Sequence, residues 1–145
     1  MNFEEFTIIV DEKKKSNPIW FALESDTIPE QSVITEVEQM LGVTLPRCYV
    51  DFINKFGGGY FAFSKIYSLD RSSEWFLYDK NKSVNQKLRG YILFSDNEVG
   101  DFFGFKIQNH RCEEEIYFYD HEEQSWTITS YGNLFEFLAD IALKN

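Results

Sequence analysis

Three stretches carry apolar residues at the i, i+3/i+4, i+7 spacing of one helix face. Val33, Ile34, Val37, Met40 and Leu41 form the first stripe. Ser25, Asp26 and Thr27 offer N-cap oxygens ahead of it, Pro29 suits a first turn, and Glu30 places an acid near the positive end of the dipole. Gly42 follows as a stop that tolerates positive φ. The second stripe is Tyr49, Phe52, Ile53 and Phe56, in a helix expected to start at Pro46 with Thr44 or Leu45 as cap and to end at Gly57-Gly58-Gly59. The third is Leu134, Phe137, Leu138 and Ile141, in a helix over 134–143 capped by Asn133.

Other stretches have the short apolar and aromatic runs of strands. They are residues 60–69, 90–96, 101–107, 115–120 and 126–131. Short gaps between the later ones favour antiparallel hairpins over parallel crossovers, with a turn at Val99-Gly100-Asp101. Residues 72–88 read as a helix opened by Ser72 or Ser73. Residues 3–10 suit a strand or a short helix, the charged segment 11–18 breaks that pattern, and 19–23 could add an edge strand. Helices come early, strands dominate the middle, and a helix closes the chain. The expected class is α+β: one domain over residues 1–145, with a mostly antiparallel sheet and helices against one face.

Composition supports a packed core. Of 145 residues, 43% are hydrophobic and 15 are Phe, enough to bury a sizeable interior. No run approaches the roughly 18–20 apolar residues of a membrane span, and the acidic start MNFEEFTIIV is unlike a signal peptide. A soluble, cytoplasmic protein is therefore expected, with no membrane partner and as a monomer or weak dimer. Cys48 and Cys112 are too few for a disulfide framework; two reduced thiols, one at least in the core, are expected, with a single bridge as the alternative.

The net charge of −10 weighs against direct contact with nucleic acid, which is held by clustered Lys and Arg. The charge is uneven. Residues 1–89 carry 13 acids and 11 bases, whereas residues 90–145 carry 11 acids and 3 bases. Such a concentration is either a solvated face or a docking face for a basic partner. Candidates for that face are Glu113, Glu114 and Glu115 before one strand, Asp120, Glu122 and Glu123 after it, and Trp126 as an aromatic anchor.

Catalytic signals are weak. His110, Cys112 and His121 match no zinc spacing, so no metal or other cofactor is expected. Asp120-His121-Glu122-Glu123 has the residue types of acid–base chemistry but reads better as a polar turn. Neither cysteine has the local signature of a nucleophile. Gly57-Gly58-Gly59 follows a helix and precedes a strand, the reverse of a phosphate loop.

Several of these segments together resemble the SUKH superfamily of bacterial immunity proteins and fungal cell-wall regulators. They are Met40-Leu41-Gly42 followed by Leu45-Pro46, Tyr49, Phe52 and Gly58-Gly59; then Phe94, Asn97, Gly100-Asp101, Phe105 and Ile116 through Glu122; then Leu134 through Leu138. The resemblance spans about residues 28–143; the first 27 residues lie outside it, and Tyr131-Gly132-Asn133 departs from its usual entry to the last helix. It implies an α+β domain and, in bacteria, a neutraliser of a secreted polymorphic toxin, often a nuclease. It brings no catalytic residues, and Leu45, Pro46, Gly58, Gly59, Gly100 and Asp101 look architectural. A cognate toxin domain with a basic surface is the expected partner; an interaction adaptor unconnected to any toxin is the alternative.

Overall fold

The structure is a computed structural model that describes residues 1–84 and 86–144. Helix α1 (Phe3–Ser16) opens the chain. Its start is a capping box: Asn2 Oδ1 accepts the Glu5 N–H at 2.8 Å, and Glu5 Oε1 accepts the Asn2 N–H at 3.1 Å. The helix runs through the charged segment expected to break it, because Lys13, Lys14 and Lys15 fall in the last turn, where cations complement the dipole. A 3₁₀ turn at Pro18–Phe21 replaces the expected edge strand. Its rings are used in packing, Trp20 against Phe63 at 4.9 Å and Phe21 against Phe61 at 5.8 Å.

Helix α2 (Gln31–Leu41) starts later than the cap residues proposed for it, after Glu30. Asp26 is engaged elsewhere. Its carboxylate accepts the Ser68 hydroxyl at 2.6 Å, and its N–H donates to the Gly58 carbonyl at 2.9 Å. Gly42 closes α2 in the left-handed region as expected (φ 71°). Helix α3 (Arg47–Phe56) follows Pro46 and ends at Gly57, also left-handed.

The stretch expected as one strand over 60–69 is a hairpin, β1 (Gly59–Phe61) and β2 (Ser64–Ile66), turning at Ala62 with φ 49°. The helix expected over 72–88 shrinks to α4 (Leu77–Asn81) and a 3₁₀ turn at Gln86–Leu88, with Asn85 outside the described residues. The reason is tertiary. Ser68 accepts the Leu77 N–H at 2.8 Å and donates to the Trp75 carbonyl at 2.9 Å, so residues 75–77 bridge to a neighbour instead of winding.

Strands β3 (Tyr91–Asp96), β4 (Phe102–Gln108), β5 (Arg111–Asp120) and β6 (Ser125–Ile128) form an antiparallel meander in that order. The β4–β5 turn places Asn109 and His110 at positive φ, the backbone of a two-residue type I′ turn. β5 starts four residues before the strand expected at 115, so Cys112 lies within a strand. Helix α5 (Leu134–Ile141) is capped as expected, with Asn133 Oδ1 accepting the Glu136 N–H at 3.0 Å.

One face of the sheet carries the helices. Tyr49 of α3 meets Phe105 edge-on at 6.1 Å, and Phe137 of α5 meets Phe94 at 5.4 Å and Phe103 at 4.7 Å. A second ring cluster joins α1 to the rest: Phe6 stacks on Phe135 at 5.0 Å and lies 6.0 Å from Phe61. The class is α+β, with helices packed on antiparallel sheets.

Candidate protein-binding face

Alternation along β5 sorts its side chains between two faces. Ile116 is fully buried towards the helices. Glu114 points the same way and reaches α3. Its Oε2 accepts the Arg47 N–H at 2.8 Å and its Oε1 the Cys48 N–H at 3.2 Å. A carboxylate there satisfies two orphan donors and faces the positive end of the helix. Glu114 therefore belongs to the architecture, and its neighbours Glu113 and Glu115 part from it. Burial first, then the Glu114 hydrogen bond, pushes the Cys48 thiol up to about 12; burial does the same to Cys112, also to about 12. Both cysteines are free thiols.

The opposite face is aromatic. Tyr117 pairs with Gly104 on one side and Ile128 on the other, and Tyr119 with Phe102 and Trp126. The Trp126 indole lies across Gly104: a Cβ added there would stand 2.9 Å from Trp126 Cη2. Having no side chain, Gly104 lets the indole reach β3, where it stacks on Tyr91 at 4.0 Å with 13° between planes. Tyr91 also meets Tyr117 edge-on at 5.3 Å, and Trp126 meets Tyr119 at 5.3 Å. Lys106 Nζ sits 6.0 Å above the Tyr117 ring. Partial burial raises the Tyr91 phenol above its ordinary value; Lys106 opposes this, and Tyr117 and Glu113 add to it. Tyr91, Tyr117 and Trp126 are half-buried, and Ile128 is exposed.

Acids stand at both ends of these rings. Glu113 and the exposed Glu115 lie along β5 just before Tyr117. The β5–β6 turn lies at the other end, where Asp120 Oδ1 accepts the Glu122 N–H at 2.9 Å and leaves Glu122 and Glu123 exposed. That turn is tied to the β3–β4 loop. Asp101 Oδ1 accepts the His121 N–H at 2.9 Å and lies 2.6 Å from His121 Nδ1. The backbone and ring bonds from His121, then Asn97, hold the Asp101 carboxyl down at about 2, and the Asp101 bond raises His121 above its ordinary value. Gly100 (φ 99°) lies against the same ring. Asp101, Asp120 and His121 bring three possible metal ligands within 4.8 Å of one another, and two of them are the partners that tie the turns together.

The sequence-derived candidates thus divide. Glu113, Glu115, Glu122, Glu123 and Trp126 share the outer face or its rim, Asp120 organises the rim turn, and Glu114 caps α3. Tyr91, Gly104 and Tyr117 were missed. Their signal was a glycine between aromatics in Phe102-Phe103-Gly104-Phe105, which marks close approach by another group in a strand. Of the architectural set, Leu45 is buried, Pro46 precedes α3, and Gly58 and Gly59 hold positive φ against Ser68 and Asp26. Among the described residues no helix is long and apolar enough to cross a membrane.

The family model described as SMI1-KNR4 cell-wall (SUKH_6) covers residues 31–138. No curated protein and no solved structure matches the chain significantly.

Proposed function

The chain belongs to the SUKH superfamily, and from that premise we propose that it is a non-catalytic immunity protein that binds and neutralises a toxin domain with a basic surface. A nuclease is the toxin class that fits best, because a nuclease must hold a polyanion and so presents Lys and Arg around its active site. The observation that carries the reading is the outer sheet face: Trp126 stacked on Tyr91, with acids at both ends of the ring cluster. Rings at the centre supply contact energy, since Trp and Tyr dominate binding hot spots. The acids raise the association rate with a basic partner and keep the protein off nucleic acid itself. The reading places this binding in the cytoplasm.

Co-expression tests the reading. Where a toxin reading frame adjoins its gene, the chain should restore growth to cells making that toxin, and Trp126→Ala combined with Glu113→Lys and Glu115→Lys should abolish that protection. If the unaltered chain gives no protection, immunity is wrong, and the reading becomes that of an adaptor on the same fold.

A further inference from the structure

A groove of about 450 Å³ opens between the β1–β2 hairpin, the β3–β4 loop and the end of α5. Its walls are apolar, formed by Leu23, Phe63, Phe103, Phe137 and Ile141. Three of these also face solvent: Leu23 is 61% exposed, Phe63 50% and Ile141 40%. Large apolar side chains left in water around a concave site mark a place where another group packs.

The groove's polar edge is acidic and fixed in place. Asp96 accepts the Tyr67 hydroxyl, and its other oxygen accepts the Glu98 N–H at 2.9 Å. Asn97 Oδ1 accepts the Val99 and Asp101 N–H groups, so the loop is held by its own side chains. Lys65 is the cation here, with Nζ 3.0 Å from Glu98 and 3.9 Å from Asp96. It is shared between these two acids, so one negative charge of the pair stays uncompensated, while Asp101 on the same loop is engaged by His121. The Glu98 side chain is 77% exposed. The edge therefore keeps an excess of negative charge next to an apolar trough.

We propose that this groove is a docking site for a basic protein segment, receiving one apolar side chain in the trough while flanking Arg or Lys side chains meet Glu98 and Asp96. Charge selects this occupant: an acidic segment meets like charge at the edge, and a second copy of this chain would bring a net charge of −10. Arg fits both parts of the surface, since its stem covers apolar area and its guanidinium pairs with carboxylates in two-pronged geometry. The proposal rests on the binding role given above and adds a second contact. Because the Asp101–His121 link joins the β3–β4 loop to the β5–β6 turn, the groove edge and the acidic end of the outer face adjoin, and one partner spans both.

The test uses the full chain, ¹⁵N-labelled, and three blocked hexapeptides: Arg-Arg-Phe-Leu-Arg-Arg, its counterpart with Glu for Arg, and its counterpart with Ala for Phe and Leu. The arginine peptide should give saturable amide shifts at Leu23, Phe63, Glu98 and Ile141. The other two should bind at least ~10-fold more weakly, a loss of about 1.4 kcal/mol each. Leu23→Ser with Ile141→Ser should weaken the arginine peptide similarly while leaving distant amide shifts in place, and Trp126→Ala should not alter it. Shifts that map to Tyr91 and Trp126 instead, equal binding of the glutamate peptide, or no saturable binding at millimolar concentration would overturn the proposal. So would groove shifts that track protein concentration without peptide, which would assign the groove to a second copy. The toxin is absent from this experiment. Groove binding without protection from the toxin sinks only the immunity reading, and protection without groove binding sinks only this one.

Discussion

Glu114 accepts the backbone N–H of Arg47 at 2.8 Å across 67 positions of sequence. One acid from the middle of a sheet strand therefore completes the N-terminus of a helix that has no side-chain cap of its own. Glu114→Gln should lower stability by ~1–2 kcal/mol, the usual range for losing a cap or a charged hydrogen bond. Glu113→Gln, one residue away on the other face, should fall within ~0.5 kcal/mol of the unaltered chain. Urea denaturation of the two variants makes the comparison.

Gly57 and Gly42 both close helices at positive φ, yet they should respond differently to alanine. At Gly57 an added Cβ would lie 2.0 Å from the Asp26 carbonyl oxygen, whereas at Gly42 nothing stands within 4 Å. Gly42→Ala should cost ~1 kcal/mol, from backbone strain alone. Gly57→Ala should exceed ~3 kcal/mol because backbone must move as well. Thermal unfolding of the pair should show the gap.

The Asp101–His121 link sets a pH window. His121 is raised in the folded chain, so its contribution is complete below its ordinary value of 6.5 and is lost as pH rises through its folded value. Asp101 is lowered to about 2 from 3.8, so its contribution is present above 3.8 and is lost as pH falls through about 2. The two turns should be held together best between these ordinary values. An NMR titration should give His121 an apparent pKa above 6.5, and Asp101→Asn should bring it back down.

Both thiols are pushed up to about 12 from 9.0, chiefly by burial. At pH 8 iodoacetamide should therefore modify the native chain at least ~100-fold more slowly than the urea-unfolded chain, since only the thiolate reacts. Mass spectrometry at timed intervals would report it, and rapid native labelling of either cysteine would contradict the burial argument.

Local signals carried α2, α3 and α5, because Gly42, Gly57 and Asn133 act on the turns beside them. Longer-range partners decided the rest. The helix expected over 72–88 was cut short by backbone bonds to Ser68, and the single strand over 60–69 folded over at Ala62, whose positive φ no propensity announces for an alanine. The proposed edge strand at 19–23 became a 3₁₀ turn because Trp20 and Phe21 pack on the hairpin. At the candidate face, alternation explains why Glu113 and Glu114 part company once β5 is known to begin at Arg111. Composition alone could not separate them, because a run of three acids looks uniform until the strand fixes which way each one points.

Affinity for the toxin domain proposed as partner, measured across a range of salt, tests the central claim most directly. The variant with Glu113, Glu115, Glu122 and Glu123 all changed to Gln should bind at least ~100-fold more weakly at low salt and lose most of its salt dependence, while Glu114→Gln keeps the slope of the unaltered chain. An unchanged affinity and an unchanged slope in the fourfold variant would contradict the assignment of the outer sheet face as the docking surface.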